Sequence, residues 1–166
     1  MKVTILAVAL VAAAAPLAAQ EHDHAAMHPK PAAPDTGYAA MQARGRNVMG
    51  VDQYTSRHVF EPLADGGRIE LQRTVDDSAG VEQIRRHLSE IADEFARGDF
   101  SAPSRVHAMD VPGTAVMRAK RDAIAYRMQP LPRGGEVRIT TSDPEAVAAV
   151  HEFLAYQRRE HRAAAH

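Results

Sequence analysis

Glu61-Pro62-Leu63-Ala64-Asp65-Gly66-Gly67-Arg68-Ile69-Glu70-Leu71 returns without a gap, 68 residues later, as Gln129-Pro130-Leu131-Pro132-Arg133-Gly134-Gly135-Glu136-Val137-Arg138-Ile139. Each Gly-Gly pair reads as a hairpin turn between two alternating runs. Arg57 to Leu63 enters the first turn. Arg68 to Thr74 leaves it, with Ile69 and Leu71 on one face and Arg68, Glu70 and Gln72 on the other. Around the second turn, Ala123 to Gln129 sets Ile124, Tyr126 and Met128 on one face, and Glu136 to Thr141 alternates around Val137 and Ile139.

A helix follows each hairpin. The spacing predicts one over Ala79 to Arg97, with Val81, Ile84, Leu88, Ile91 and Phe95 as its apolar stripe. Asp77 or Ser78 is placed to cap it and Gly98 to end it. The second helix opens at Ser142-Asp143-Pro144-Glu145, a capping box with proline in the first turn, and carries Val147, Val150 and Leu154 inward. Two β-β-α units follow: an α+β fold with one four-stranded antiparallel sheet and helices on one face. Tyr38 to Met49 and Gly113 to Arg121 read as weaker helices. Asp99 to Pro112, with two prolines, reads as a loop.

Upstream, Met1-Lys2 is a short positive start and Val3 to Ala15 an apolar run. The run falls short of the roughly 20 residues a spanning helix needs and fits the core of a secretory signal. Pro16 and Leu17-Ala18-Ala19 place cleavage after Ala19. The expected organisation is a signal peptide over 1–19, a disordered His- and Pro-rich linker over 20–37, one domain over 38–162 and a disordered tail over 163–166. The expected location is periplasmic or secreted, with no membrane span after cleavage.

The 166 residues carry a formal net charge of -1 and no cysteine. The charge gives no nucleic-acid footprint. Without cysteine there is no disulfide, thiolate nucleophile, Cys-ligated zinc or c-type haem attachment. No G-x-x-x-x-G-K-[ST], G-x-G-x-x-G or G-x-S-x-G motif occurs, so no nucleotide cofactor is expected.

Histidine is the residue type left to carry chemistry. The repeat matches His58 to Tyr126 and Phe60 to Met128, which turns His58 inward. His87 borders the first helical stripe, three after Ile84 and four before Ile91. His151 lies four after Val147 and three before Leu154, and His161 continues that line. His107 sits in the Pro-flanked segment, beside Met109, placed to close over the same layer. Three imidazoles form a recognised zinc set, so His58, His87, His151 and His107 are the candidate ligands, for copper or zinc. The core is too small for a porphyrin. The methionines read as core gap-fillers. Against the metal reading stands a structural one, in which each histidine is a half-buried core residue with one hydrogen bond. A second set lies at the front of the linker. After cleavage, the free amine of Gln20, the amides of Glu21 and His22 and the His22 imidazole offer square-planar nitrogen ligation to copper or nickel.

Met49-Gly50-Val51-Asp52-Gln53, Ile84-Arg85-Arg86-His87-Leu88, Gly98-Asp99-Phe100, Thr141-Ser142-Asp143-Pro144-Glu145-Ala146 and Val150-His151-Glu152-Phe153-Leu154 resemble a family of small exported bacterial proteins. The resemblance covers about Arg44 to His161. Some members bear the label aspartate carbamoyltransferase. That enzyme resembles two α/β domains with a Ser-Thr-Arg-Thr phosphate loop, of which Thr55-Ser56-Arg57 is a faint echo in a predicted strand. The resemblance implies no activity. It implies histidines at positions 58, 87, 107 and 151, and usually a second one where this chain has Val59.

The sequence thus leads to an exported soluble domain that binds a transition metal through inward histidines. The alternatives are an interaction or scaffold module with structural histidines and an unidentified protein partner, and a small hydrolase or transferase using His. The balance leans away from an enzyme.

Overall fold

The computed structural model describes residues 35–50 and 53–163. In chain order the elements are α1 (Thr36–Met49), β1 (Ser56–Leu63), β2 (Gly66–Arg73), α2 (Ser78–Ala96), α3 (Ser101–His107), α4 (Thr114–Ala119), β3 (Ile124–Leu131), β4 (Gly134–Thr141) and α5 (Pro144–Glu160). The two glycine pairs close two hairpins whose strands have equal lengths. The hairpins join through β2 and β4 into one antiparallel sheet of order β1-β2-β4-β3.

The central register reveals how the halves are related. Ile69 pairs with Val137, Gly67 with Ile139 and Leu71 with Gly135. Ile69 and Val137 are also each other's counterparts in the sequence repeat. A pseudo-twofold axis therefore passes between them, and each strand maps onto its partner at an offset of 68.

The helices obey the same axis. Asp77 caps α2 by accepting from the Gly80 N–H at 3.0 Å. Asp143 caps α5 by accepting from Glu145 and Ala146 at 2.9 and 3.1 Å. Each cap is worth about 1 kcal/mol. The connection into α5 is two residues shorter than the one into α2, so the helices map at an offset of 66. Each helix packs mainly on the other unit's hairpin: α2 on β3 and β4, α5 on β1 and β2. The two units are thereby interlocked. Glycine permits the close approach. A Cβ at Gly67 would fall 2.2 Å from Leu154 Cδ1, and one at the equivalent Gly135 would fall 3.3 Å from Leu88 Cδ1. Leu88 and Leu154 are themselves equivalent.

Ile84, Val137, Ile139, Val150 and Leu154 form the fully buried centre between sheet and helices. Val81 and Val147, expected on the helical stripes, are half-buried at their edges. Ala146, Ala149 and Phe153 fill the α5 side instead.

Three boundaries differ from the sequence reading. The α1 helix starts at Thr36, because Asp35 accepts from the Tyr38 N–H at 3.0 Å; residues 35–37 belong to the domain rather than to the linker. Ala163, placed in a tail, packs against the core and donates its N–H to the Arg158 carbonyl. Asp99 to Pro112, read as a loop, contains α3. Pro103 sits in the first turn of that helix, where its missing N–H costs nothing. Asp99 Oδ1 accepts from the Ser101 N–H at 2.8 Å and starts it. The signal peptide, the linker before residue 35, the Gln20–His22 set and residues 164–166 lie outside the described residues. Among the described residues no helix is long and apolar enough to cross a membrane.

Candidate functional site

A cavity of about 80 Å³ lies under the β1–β2 half of the sheet. The strands contribute His58 and Phe60, α2 contributes His87, α3 contributes His107, and the end of α5 contributes Gln157 and His161. Its other walls are apolar, with Ile69, Leu71, Leu88, Ile91 and Phe153 among them, and among the described residues no carboxylate lines it. A water's share of liquid volume is about 30 Å³. The space is roughly that of two to three waters.

Three of the four expected histidines are brought together, and the fourth is exchanged. His58, His87 and His107 line the cavity; His151 does not. His151 Nε2 donates to the Leu63 carbonyl at 2.9 Å, tying α5 to the end of β1. This is the pseudo-twofold counterpart of Arg85, which donates from Nη2 to the Leu131 carbonyl at 2.7 Å and from Nε to the Gly134 carbonyl at 2.9 Å. His151 is accordingly a hairpin fastener, and His161 stands in the cavity in its place.

Local structure positions each ring. Strand alternation puts His58 on the face of Phe60, whose ring lies 6.1 Å away, nearly parallel. Val59 falls on the opposite face of the strand. A histidine at Val59 would point away from the cavity, so its absence takes nothing from this group. His87 projects from the buried stripe of α2 at 9% exposure. His107 ends α3, and its Nε2 lies 2.9 Å from Gln157 Oε1. With the Gln157 oxygen as acceptor, Nε2 carries the proton and Nδ1 keeps its lone pair. His161 follows the last turn of α5. Arg162, next to it, pairs with Asp35 and lies 3.9 Å over the Tyr38 ring, which clamps this helix end to α1.

Backbone strain marks the same places. Among the described residues, Ala108 (φ 55°) and Arg162 (φ 52°) are the two non-glycines in the left-handed region. Each directly follows a cavity histidine. Such strain costs of order 1–3 kcal/mol and persists where surrounding contacts over-determine it.

The rings are close. His58 and His161 centroids are 5.4 Å apart with planes at 21°, and His107 and His161 are 5.2 Å apart with planes at 88°. The His58 Nε2 atom is shut off from solvent and has no hydrogen-bond partner. Burial, together with repulsion from a charged His87, pushes the His58 pKa down to about 4. Burial and the charges of His58 and His107 push His161 down to about 3. Burial lowers His87, against a smaller upward pull from Glu90. It also lowers His107, opposed by the Gln157 hydrogen bond and by Glu160. Each of these shifts favours the neutral imidazole, the form that ligates metals. Among the described residues no three His, Asp or Glu side chains already converge as a metal-holding group.

The pseudo-twofold axis supplies an internal control. His58 maps to Tyr126, His161 to Phe95 and His87 to Phe153. In the aromatic half, Phe95 meets Tyr126 edge-on at 5.7 Å and Phe153 at 5.8 Å. The positions that one half fills with phenyl and phenol rings hold imidazoles in the other. The sequence places His161 on the line of His151 at the helix end, and only the helical offset of 66 aligns it with buried Phe95.

No protein-family model, no curated protein and no solved structure matches this chain.

Proposed function

We propose that the domain binds one transition-metal ion, copper or zinc, in the histidine cavity, with His58, His107 and His161 as ligands and His87 as the fourth donor or a neighbouring polar group. We further propose export through the N-terminal signal, which makes this a metal-binding protein of the periplasm or the extracellular space.

The observation that carries the reading is the buried His58 Nε2 without a partner, in a cavity walled by further imidazoles. A buried polar atom left unpaired costs about 1–3 kcal/mol. The equivalent site shows that this fold accepts an aromatic ring there. The Tyr126 hydroxyl at that equivalent position is also buried without a partner, so what sets this half apart is the set of further imidazoles, His87, His107 and His161, around the same cavity.

The spacing is compatible with ligation. Metal–nitrogen bonds to imidazole are about 2.0–2.1 Å, so ring centroids about a tetrahedral ion fall roughly 5 Å apart. The two centroid distances of 5.4 and 5.2 Å agree with that separation. The His58 and His161 rings are near-parallel, so ligation requires them to turn about χ2. Gln157, bonded to His107, would fix the tautomer of that ligand from outside the coordination shell.

The test is metal titration of the full mature chain with its tail donors removed (His22→Ala, His24→Ala, Met27→Leu, His28→Ala). One ion per chain is expected. His58→Phe with His161→Phe, which fills both positions with phenyl rings, should stay folded by circular dichroism and bind none. Retention of the ion by that variant, or no uptake of copper or zinc by its parent, overturns the proposal. The second result would leave the histidines as core residues.

A further inference from the structure

The last residue of α1 brings a sulfur donor to the same cavity. Met49 is 8% exposed and lines the cavity together with His58, His87, His107 and His161. Its place is fixed by its own backbone. The Met49 carbonyl accepts from Gln83 Nε2 of α2 at 3.1 Å, and Gly50 (φ 73°) ends the helix directly after it. The Arg44 Nε donates to the Val106 carbonyl at 2.7 Å and holds α1 against α3, the helix that carries His107.

We infer that the ion held in this cavity is cuprous copper, with the Met49 thioether completing a set of imidazoles. This rests on the metal reading above and narrows it to one ion.

Two physical arguments select the ion. The first is charge. Among the described residues no carboxylate lines the cavity, and its donors are imidazoles, one thioether and one amide. A zinc or cupric ion would place two uncompensated charges among Phe60, Ile69, Leu71 and Phe153. The desolvation penalty of an ion grows as the square of its charge, so Cu(I) is penalised roughly fourfold less. The second is softness. The imidazoles suit zinc and copper alike, whereas thioether sulfur is a soft donor that selects Cu(I). Copper(I) also accepts low coordination numbers without a strict geometry, which suits rings that reach one point only after turning.

The experiment uses the full mature chain with the tail donors replaced as above. Cu(I), supplied under argon as its acetonitrile complex, is titrated against a colorimetric cuprous chelator, and Zn(II) against a zinc indicator in parallel. Met49→Leu conserves volume and should leave the fold intact. Expected is stoichiometric Cu(I) binding, with Zn(II) weaker by at least tenfold. Met49→Leu should weaken Cu(I) by about tenfold or more and leave Zn(II) within about twofold, in line with the 10–100-fold effects of altering a metal's surroundings. X-ray absorption of the cuprous form should show one sulfur scatterer, lost in Met49→Leu. Tight Zn(II) binding with Cu(I) unaffected by Met49→Leu overturns the cuprous assignment and leaves the histidine site standing. No binding of either ion overturns both.

Discussion

Phe95, Tyr126 and Phe153 occupy, in one half of the layer between sheet and helices, the positions that His161, His58 and His87 occupy in the other. The scaffold around the two triplets is the same: equivalent strands, equivalent Asp caps, equivalent Gly–Leu contacts at Gly67–Leu154 and Gly135–Leu88. The aromatic triplet closes on itself. Phe95 also stacks on Phe100 at 4.5 Å, and both are fully buried. The imidazole triplet borders a cavity that Phe95 and Phe153 also line, and each triplet leaves one buried polar atom unpaired, His58 Nε2 in one and the Tyr126 hydroxyl in the other. Packing alone favours the first arrangement. The second trades packing for lone pairs, which is the compromise expected of a binding site built on a stable frame.

The largest effect should therefore come from the half that holds the frame together. Phe95→Ala removes a ring packed against Phe100, Tyr126 and Phe153 and should cost about 3–5 kcal/mol in urea unfolding. His161→Ala in metal-free protein, at the equivalent position, should cost less than half of that. Equal costs would break the comparison, because both halves would then be ordinary core. With Cu(I) bound, the ranking should narrow, since the ion stabilises only the folded His161 protein.

The histidine half should also fail first in acid. The folded-state pKa values of His58, about 4, and His161, about 3, lie below the ordinary 6.5. Between those values and 6.5 the unfolded chain binds more protons than the folded one, so stability falls as pH falls. The neutral-imidazole contribution is complete above pH 6.5 and is lost progressively as pH drops toward 4. At pH 5 the loss is up to about 2 kcal/mol for each buried imidazole. His87 and His107 shift in the same direction, with Glu90 and Glu160 opposing. Unfolding of metal-free protein at pH 7 and pH 5 measures this directly. His58→Phe with His161→Phe should flatten the pH dependence between these points. An unchanged slope would mean that these rings are solvated in solution and that the cavity is open to water.

Much of this contrast was legible in the chain. The hairpins, the two long helices and the inward face of His58 followed from period-two alternation, the Gly-Gly turns and the 68-residue repeat. The interlocking did not follow, because nothing local to α2 says that it will lie on β3 and β4 and not on the hairpin it leaves. The α3 helix was hidden by Pro103, which punctuates a helix interior but is neutral in a first turn. The exchange of His161 for His151 becomes legible only once the helices are aligned. The link into α5 is two residues shorter than the link into α2, and only the helical offset of 66 aligns His151 with Arg85 and His161 with Phe95. Met49 was read as core filler, because a cavity assembled from four helices and two strands leaves no spacing in the sequence.

The smallest expected effect separates fastening from binding. His151 Nε2 to the Leu63 carbonyl, and Arg85 to the Leu131 and Gly134 carbonyls, close the same gap on opposite sides of the axis. Both reach backbone acceptors at a hairpin end. His151→Ala removes one hydrogen bond and should cost about 1 kcal/mol, while Arg85→Ala removes two bonds from a guanidinium and should cost about 1.5–3 kcal/mol. Neither side chain lines the histidine cavity. Metal stoichiometry and affinity should therefore be unchanged in His151→Ala, although a stripe of helical positions carries both His151 and His161. Loss of the ion on His151→Ala would show that α5 rotates in solution to bring that ring inward. The equivalence between Arg85 and His151 would then hold for the metal-free fold alone.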